Sequence, residues 1–157
     1  MDQTRRNALK AGGGASLFAL LAAAGMLRPE AALAADWNQK AFEAKNLKDA
    51  FDALGASSRV ESADIAMTAP EIAENGAVVP ISVSTALPGV KRIAFLVEKN
   101  PTTLAGVFEF TDAVETSVAT RIKMGQSSNV LAVALMGDGK VFYAQKDVKV
   151  TLGGCGG

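Results

Sequence analysis

The residues best suited to covalent chemistry are the last five, Gly153-Gly154-Cys155-Gly156-Gly157. Cys155 is the single cysteine in 157 residues, and glycines flank it on both sides. Without neighbouring side chains the sulfur has nothing to be buried against, which separates it from the small hydrophobic role that most free cysteines play. Glycine has the least conformational preference of any residue, so the stretch is expected to be a mobile arm. Fully extended at about 3.5 Å per residue, five residues reach roughly 17 Å. That is long enough to carry a thiol from the surface of one domain into a pocket of another protein. An odd cysteine can also form an intermolecular disulfide. Prenylation requires a cysteine four residues from the end, and this one is third, so that signal is absent.

Composition limits what this thiol can do by itself. The sequence contains no histidine. The commonest general base, the usual activator of a cysteine nucleophile and the commonest metal ligand are all missing. One cysteine without histidine cannot build a zinc or haem site of the familiar kinds, and no dense Asp/Asn loop of the EF-hand type is present. The expectation is therefore no metal, no cofactor and no autonomous catalysis. Sixteen Lys and Arg balance sixteen Asp and Glu, which gives no electrostatic case for nucleic acid or an anionic membrane.

Residues 1–34 read as an address label. Thr4-Arg5-Arg6-Asn7-Ala8-Leu9-Lys10 precedes a soft apolar run from Ala11 to Leu27, and Ala32-Leu33-Ala34 supplies the small residues of a cleavage site. The pair Arg5 and Arg6 with a weakly apolar core resembles a twin-arginine export signal, although Ala8 stands where that pattern prefers a bulky apolar residue. Four glycines within seventeen residues make a poor membrane span, so no stable anchor is expected. The route handles folded proteins, which leads to the expectation of a periplasmic protein exported with a partner already attached.

Residues 35–152 must position the arm. A helix is predicted over Asn38–Leu54, where Ala41, Phe42, Ala50, Phe51 and Leu54 recur near helical period and Gly55 provides the stop. Beyond it the period changes to two. Strands are predicted over Ser62–Thr68, Ala77–Ala86, Lys91–Val97, Leu104–Phe110, Glu115–Lys123, Val130–Met136, Lys140–Ala144 and Val148–Leu152, with Pro88-Gly89 and Gly137-Asp138-Gly139 as turns. Short strands at this spacing predict a mainly β fold, an immunoglobulin-like antiparallel β-sandwich of about seven strands preceded by an N-terminal helix. The aromatic pairs Phe108/Phe110 and Phe142/Tyr143 read as core. Trp37 reads as a seat for the start of the exported chain.

An export leader, a helix, an all-β body and a terminal Gly-Gly-Cys-Gly-Gly together resemble the SoxY family, the sulfur carriers of the bacterial Sox thiosulfate-oxidation system. The resemblance implies a heterodimer with a SoxZ-like subunit, itself a small β-sandwich. It implies that Cys155 receives the sulfane sulfur of thiosulfate from SoxAX-type c-haem proteins. A SoxB-type dimanganese hydrolase then removes sulfate, and in some organisms a sulfane dehydrogenase oxidises what remains. Gly153, Gly154, Gly156 and Gly157 form the carrier arm, and the chain itself catalyses none of these steps. The residues suit that role: the Gly157 carboxylate disfavours a nearby thiolate, and no basic residue lies in the last seven positions to offset it. Three rival readings remain open on the residues alone: a carrier using the terminal Gly-Gly as a thiocarboxylate, a structural β-sandwich without covalent chemistry, and a thiol oxidoreductase that lacks a second cysteine to resolve a mixed disulfide.

Overall fold

The computed structural model describes residues 38–152. The chain opens with two short helices, α1 (Gln39–Glu43) and α2 (Leu47–Ala53), where the apolar stripe predicts one. The break has a local cause. Asn46 takes an extended conformation (φ −149°, ψ 162°) and its side-chain oxygen accepts the Asp49 amide at 2.9 Å, starting a new helix. Asn38 caps α1 in the same way, accepting the Ala41 amide at 3.2 Å, and its amide group donates to Ala53 O at 2.7 Å, closing the two helices on each other. The interruption also frees the Ala44 carbonyl to accept the Thr103 amide at 3.0 Å. Gly55 ends α2 as expected. Its φ of 74° lets Gly55 N donate to Asp52 O and Ala56 N to Phe51 O, the paired bonds of a left-handed C-terminal cap.

Nine strands follow: β1 (Arg59–Glu61), β2 (Ile65–Thr68), β3 (Ile72–Ala73), β4 (Val79–Thr85), β5 (Val90–Val97), β6 (Leu104–Glu109), β7 (Ser117–Ile122), β8 (Ser128–Met136) and β9 (Val141–Val150). They form two sheets. The larger runs β1-β9-β8-β5-β6 with β3 also on β9, and the smaller runs β2-β4-β7. The expectation of a purely antiparallel body is corrected at two places, since β1 and β3 both pair with β9 in parallel. The two predicted segments Lys140–Ala144 and Val148–Leu152 are one strand. The exposed residues Gln145, Lys146 and Asp147 between them stay in register with Leu131, Val130 and Asn129 of β8. Ser62–Asp64, predicted as the start of a strand, is a turn in which Ser62 Oγ accepts the Asp64 amide at 3.1 Å.

Burial explains the layering. In β4, Val79, Ile81 and Val83 are buried while Pro80 and Ser84 are exposed, the alternation of a strand with one wet face. Strands β5 and β8 are buried on both faces. Ile93, Phe95, Val97, Val130, Ala132 and Ala134 join the smaller sheet's Ile65, Met67, Ile81 and Val83 in one apolar cluster. The intervening Ala94, Leu96, Leu131, Val133 and Leu135 join Ala41, Ala50, Phe51 and Leu54 of the helical region in a second. The helices thus cover one face of the larger sheet and the smaller sheet contributes to the core on the other. Phe51 seals the helical side: the Arg59 guanidinium lies 3.9 Å from its ring centroid, and Tyr143 meets it edge-on at 6.5 Å. The aromatic pairs predicted as core are half-buried. Phe142 packs against the first cluster and Tyr143 against the second, as alternate residues of a strand must.

Candidate functional site at the end of the last strand

All of the sequence-predicted site residues, Cys155 with Gly153, Gly154, Gly156 and Gly157, and the leader's Arg5 and Arg6, lie outside the described residues, as does Trp37. What the structure describes is the mounting from which the last five residues depart. Strand β9 is central to the larger sheet, antiparallel to β8 from Val141 to Val148. Past Val148 it outruns its partner, and its free backbone groups find new ones. Lys149 N donates to Glu71 O at 2.9 Å, Thr151 N to Ala73 O at 3.1 Å, and Thr151 Oγ1 to Glu74 O at 3.0 Å. Val150 N is taken by Ser127 Oγ at 2.9 Å. Leu152 O accepts the Gly76 amide at 2.7 Å.

The Glu71–Gly76 segment that supplies these partners is itself fixed. Gly76 O accepts the amide of the fully buried Met124 at 2.7 Å, and Asn75 Oδ1 accepts the Ala77 amide at 2.8 Å. The backbone is therefore held up to Leu152, and Cys155 follows three residues later. Sequence reasoning missed this clamp. Asn75-Gly76 is a visible turn pair, but nothing local indicates that it closes on the end of β9. Charged side chains around the root are of both signs and exposed: Glu71, Glu74, Lys123 and Lys149.

A cleft of about 680 Å³ among the described residues lies elsewhere. It is lined by the ends of β2, β4 and β7 that point away from the clamp, among them Asp64, Ser84, Thr85, Asp112 and Thr116. Perturbed titration is also remote from the root. Asp52 is held below the ordinary carboxylate range by its hydrogen bond from Lys48, and Asp138 likewise by Lys140, both pairs being exposed. Among the described residues, no group of three or more His, Cys, Asp or Glu could hold a metal ion, and no helix is long and apolar enough to cross a membrane.

Comparison with known proteins is consistent with this mounting. The family model for the sulfur oxidation protein SoxY matches residues 51–155, a span that runs from α2 through the clamp to Cys155 itself. No curated protein sequence matches the chain. Among solved structures, the sulfur carrier protein SoxY from Chlorobium limicola f thiosulfatophilum is 36% identical with a TM-score of 0.61, covering 68% of this chain and 97% of that one. A variant of the superoxide reductase (neelaredoxin) from Ignicoccus hospitalis is 20% identical over 55% of this chain and 78% of that one. Its TM-score of 0.49 is too low to bear on function. With a family match over residues 51–155, and a relative 36% identical that covers 68% of this chain, the chain belongs to the SoxY family.

Proposed function

We propose that this chain is a sulfur carrier that works outside the cytoplasm, holding intermediates of thiosulfate oxidation covalently on Cys155 and presenting them to separate enzymes. The observation that carries the reading is the continuity of the SoxY family match into Cys155, joined to a backbone clamped three residues before it. The chain is a carrier and not a catalyst, as befits its family. In loading, the Cys155 thiol and thiosulfate join through a new S–S bond. One proton and two electrons leave, the electrons passing to SoxAX-type c-haem proteins. A SoxB-type hydrolase and, in some settings, a sulfane dehydrogenase then act on the adduct.

The finer parts of the reading rest on sequence. Residues 1–34 are proposed as a twin-arginine leader using Arg5 and Arg6, residues 35–152 as an immunoglobulin-like sandwich, and residues 153–157 as the arm. A SoxZ-like subunit is the proposed permanent partner. An arm tethered to a fixed root raises the local concentration of the adduct for each enzyme that docks. Its bare glycines ask an enclosed active site to accommodate only backbone. The terminal Gly-Gly thiocarboxylate reading draws no support from a match that reaches Cys155 and stops before Gly156.

Intact mass tests the proposal. The exported chain with its partner subunit is exposed to thiosulfate and the c-haem proteins, with and without reductant. An adduct confined to Cys155 and released by reductant is the expected result. Adducts that persist in Cys155→Ser, or an exchange of oxygen for sulfur at Gly157, would overturn it.

A further inference from the structure

One residue of the clamp carries a reactive side chain that the carrier reading leaves unused. Among the asparagines of the sequence, Asn75 alone precedes a glycine. An asparagine side-chain amide is an electrophile, and the backbone nitrogen of the next residue is the nucleophile within reach. Glycine at that next position puts no Cβ in the way of the attack. Asn75 is exposed. Its Oδ1 accepts the Ala77 amide at 2.8 Å, which polarises the side-chain carbonyl toward attack.

The nucleophile is what the fold withholds. Gly76 is buried. Its N–H donates to Leu152 O at 2.7 Å, and its carbonyl accepts the Met124 amide at 2.7 Å. An amide nitrogen attacks only after it loses its proton. A buried N–H bonded to a carbonyl is out of reach of hydroxide until that bond opens. The bond that holds Leu152 is therefore the one that keeps Asn75 unreacted. Thr151, whose amide and hydroxyl donate to Ala73 O and Glu74 O, and Ser127, which accepts the Val150 amide, hold the two segments together around it.

We propose that Asn75 is a deamidation site latched by the end of β9, where reaction and clamp exclude each other. Once the Gly76 N–H is freed and gives up its proton, the nitrogen bonds to Asn75 Cγ. The bond from Cγ to Nδ2 breaks, and ammonia leaves behind a five-membered succinimide. Water then opens the ring at either carbonyl. In sum one water is consumed, one ammonia is released, and nothing is oxidised or reduced. Opening at the main-chain carbonyl yields an isoaspartate, whose backbone runs through Cγ and is one CH2 longer between Glu74 and Gly76. The bonds from Glu74 O and Gly76 N to the end of β9 fit the shorter chain. The product also places a new carboxylate beside Glu74, so the latch does not close again. The proposal stands whatever Cys155 carries.

The test measures reaction and opening side by side. The full chain is kept under reductant at mildly alkaline pH, and peptide mass spectrometry follows the gain of about one mass unit at Asn75. Deamidation in the folded chain is expected to be at least about tenfold slower than in the same chain unfolded in urea. Ser127→Ala leaves Asn75 and Gly76 untouched. It is expected to raise the rate about tenfold, with exchange of the Gly76 amide rising by the same factor, and Ser127→Thr to restore both. If Ser127→Ala melts early, Thr151→Val, which removes only the hydroxyl bond to Glu74 O, carries the test with about a threefold rise. Asp138→Asn, in the β8–β9 turn, leaves the rate unchanged. A folded wild type that deamidates as fast as the unfolded chain overturns the proposal. So does a rate within about twofold of wild type in the clamp variants, or an equal rise in Asp138→Asn. The deamidated fraction, separated by its added negative charge, should exchange the Thr151 amide about tenfold faster than unreacted chain. Equal exchange in the two fractions would refute the exclusion of clamp by reaction.

Discussion

The two ends of strand β4 contrast in almost every respect. Its seven residues span roughly 20 Å at about 3.3 Å each. At the Val79 end, backbone hydrogen bonds to Glu71 O and Ala73 O and from Gly76 N, with one to Ser127 Oγ, hold the last residues of β9, and the neighbouring hollow along Thr68–Pro70 and Pro80–Ser82 is smaller, about 490 Å³. At the Thr85 end, turns and loops frame the 680 Å³ cleft, hydroxyls and carboxylates line it, and Thr85 Oγ1 donates to Asp64 O at 2.8 Å. Cavity size points to one pole and chain connectivity to the other. A carrier explains why connectivity prevails: its chemistry happens inside another protein's pocket, so it needs a rigid mount and not a cleft of its own. The cleft's polar lining belongs to the turns that close the sheets.

The widest separation between the poles is in chemistry. Cys155→Ser is expected to abolish loading altogether, with far-ultraviolet circular dichroism and melting unchanged. Ser84→Trp, which fills part of the cleft, is expected to leave loading at the wild-type rate. Intact mass after thiosulfate and the c-haem proteins reads both. A cleft variant that loads as poorly as Cys155→Ser would move the site to the other pole.

How much of this the sequence discloses depends on whether the deciding contacts are local. Val79–Thr85 and Ser117–Ile122 announce themselves because one face is wet, which imprints alternation. The Gly55 stop and the Gly89 and Gly139 turns are equally legible, since each needs a positive φ that glycine adopts without strain. The break between α1 and α2 was obscured because the apolar stripe runs through it, while the capping of Asn46 outweighs the stripe. Strands β1 and β3 are three and two residues long and pair with a partner at the far end of the chain, so no period marks them. The clamp is hidden for the same reason: the bond from Gly76 to Leu152 is a property of the fold. Cys155 is conspicuous by residue type alone, whereas the backbone that fixes the chain three residues before it is visible only once Glu71–Gly76 and the end of β9 are brought together.

Both poles share one core, and this gives the next test. Phe95 is fully buried between the sheets, edge-on to Phe108 at 5.9 Å. Phe95→Ala is expected to cost about 3–5 kcal/mol in denaturant unfolding. Hydrogen-exchange protection should fall at both poles together, because the cavity weakens the layer they have in common. Loss at one pole only would mean that the sheets unfold as separate units.

Ser127→Ala acts at the arm pole alone. It removes the acceptor for Val150 N, a part-buried donor, and leaves that amide without a partner. The expected cost is about 1–2 kcal/mol. Exchange at Val150 and Thr151 should rise about tenfold, while Phe110, whose amide donates to Lys91 O near the cleft, stays as protected as in wild type. Ser127→Thr retains a hydroxyl acceptor and should restore protection. Uniform loosening of both poles would contradict a local clamp.

The smallest effect lies at the cleft pole, in the β8–β9 turn, which is tied to the cleft by Gly137 N donating to Gly89 O at 2.9 Å. Here Lys140 Nζ lies 2.8 Å from Asp138 Oδ2. Its hydrogen bond lowers the Asp138 pKa, and the same bond raises that of Lys140. A depressed carboxyl contributes stability above its unfolded value near 3.9 and loses it as pH falls through the folded value; a raised amine contributes below about 10.4 and loses it as pH climbs past. The pair is therefore flat between about pH 5 and pH 9. Asp138→Asn removes the charge but keeps an oxygen for the Lys140 amide, which donates to Asp138 Oδ1 at 3.1 Å. Both side chains are more than half exposed, so solvent screens the attraction and Tm should fall by no more than about 2 °C at pH 7. As the pH falls through the lowered range of the folded carboxyl, native Asp138 takes up its proton and the difference should diminish. A difference that is as large at pH 2 as at pH 7 would trace the loss to the turn's geometry and not to its charge.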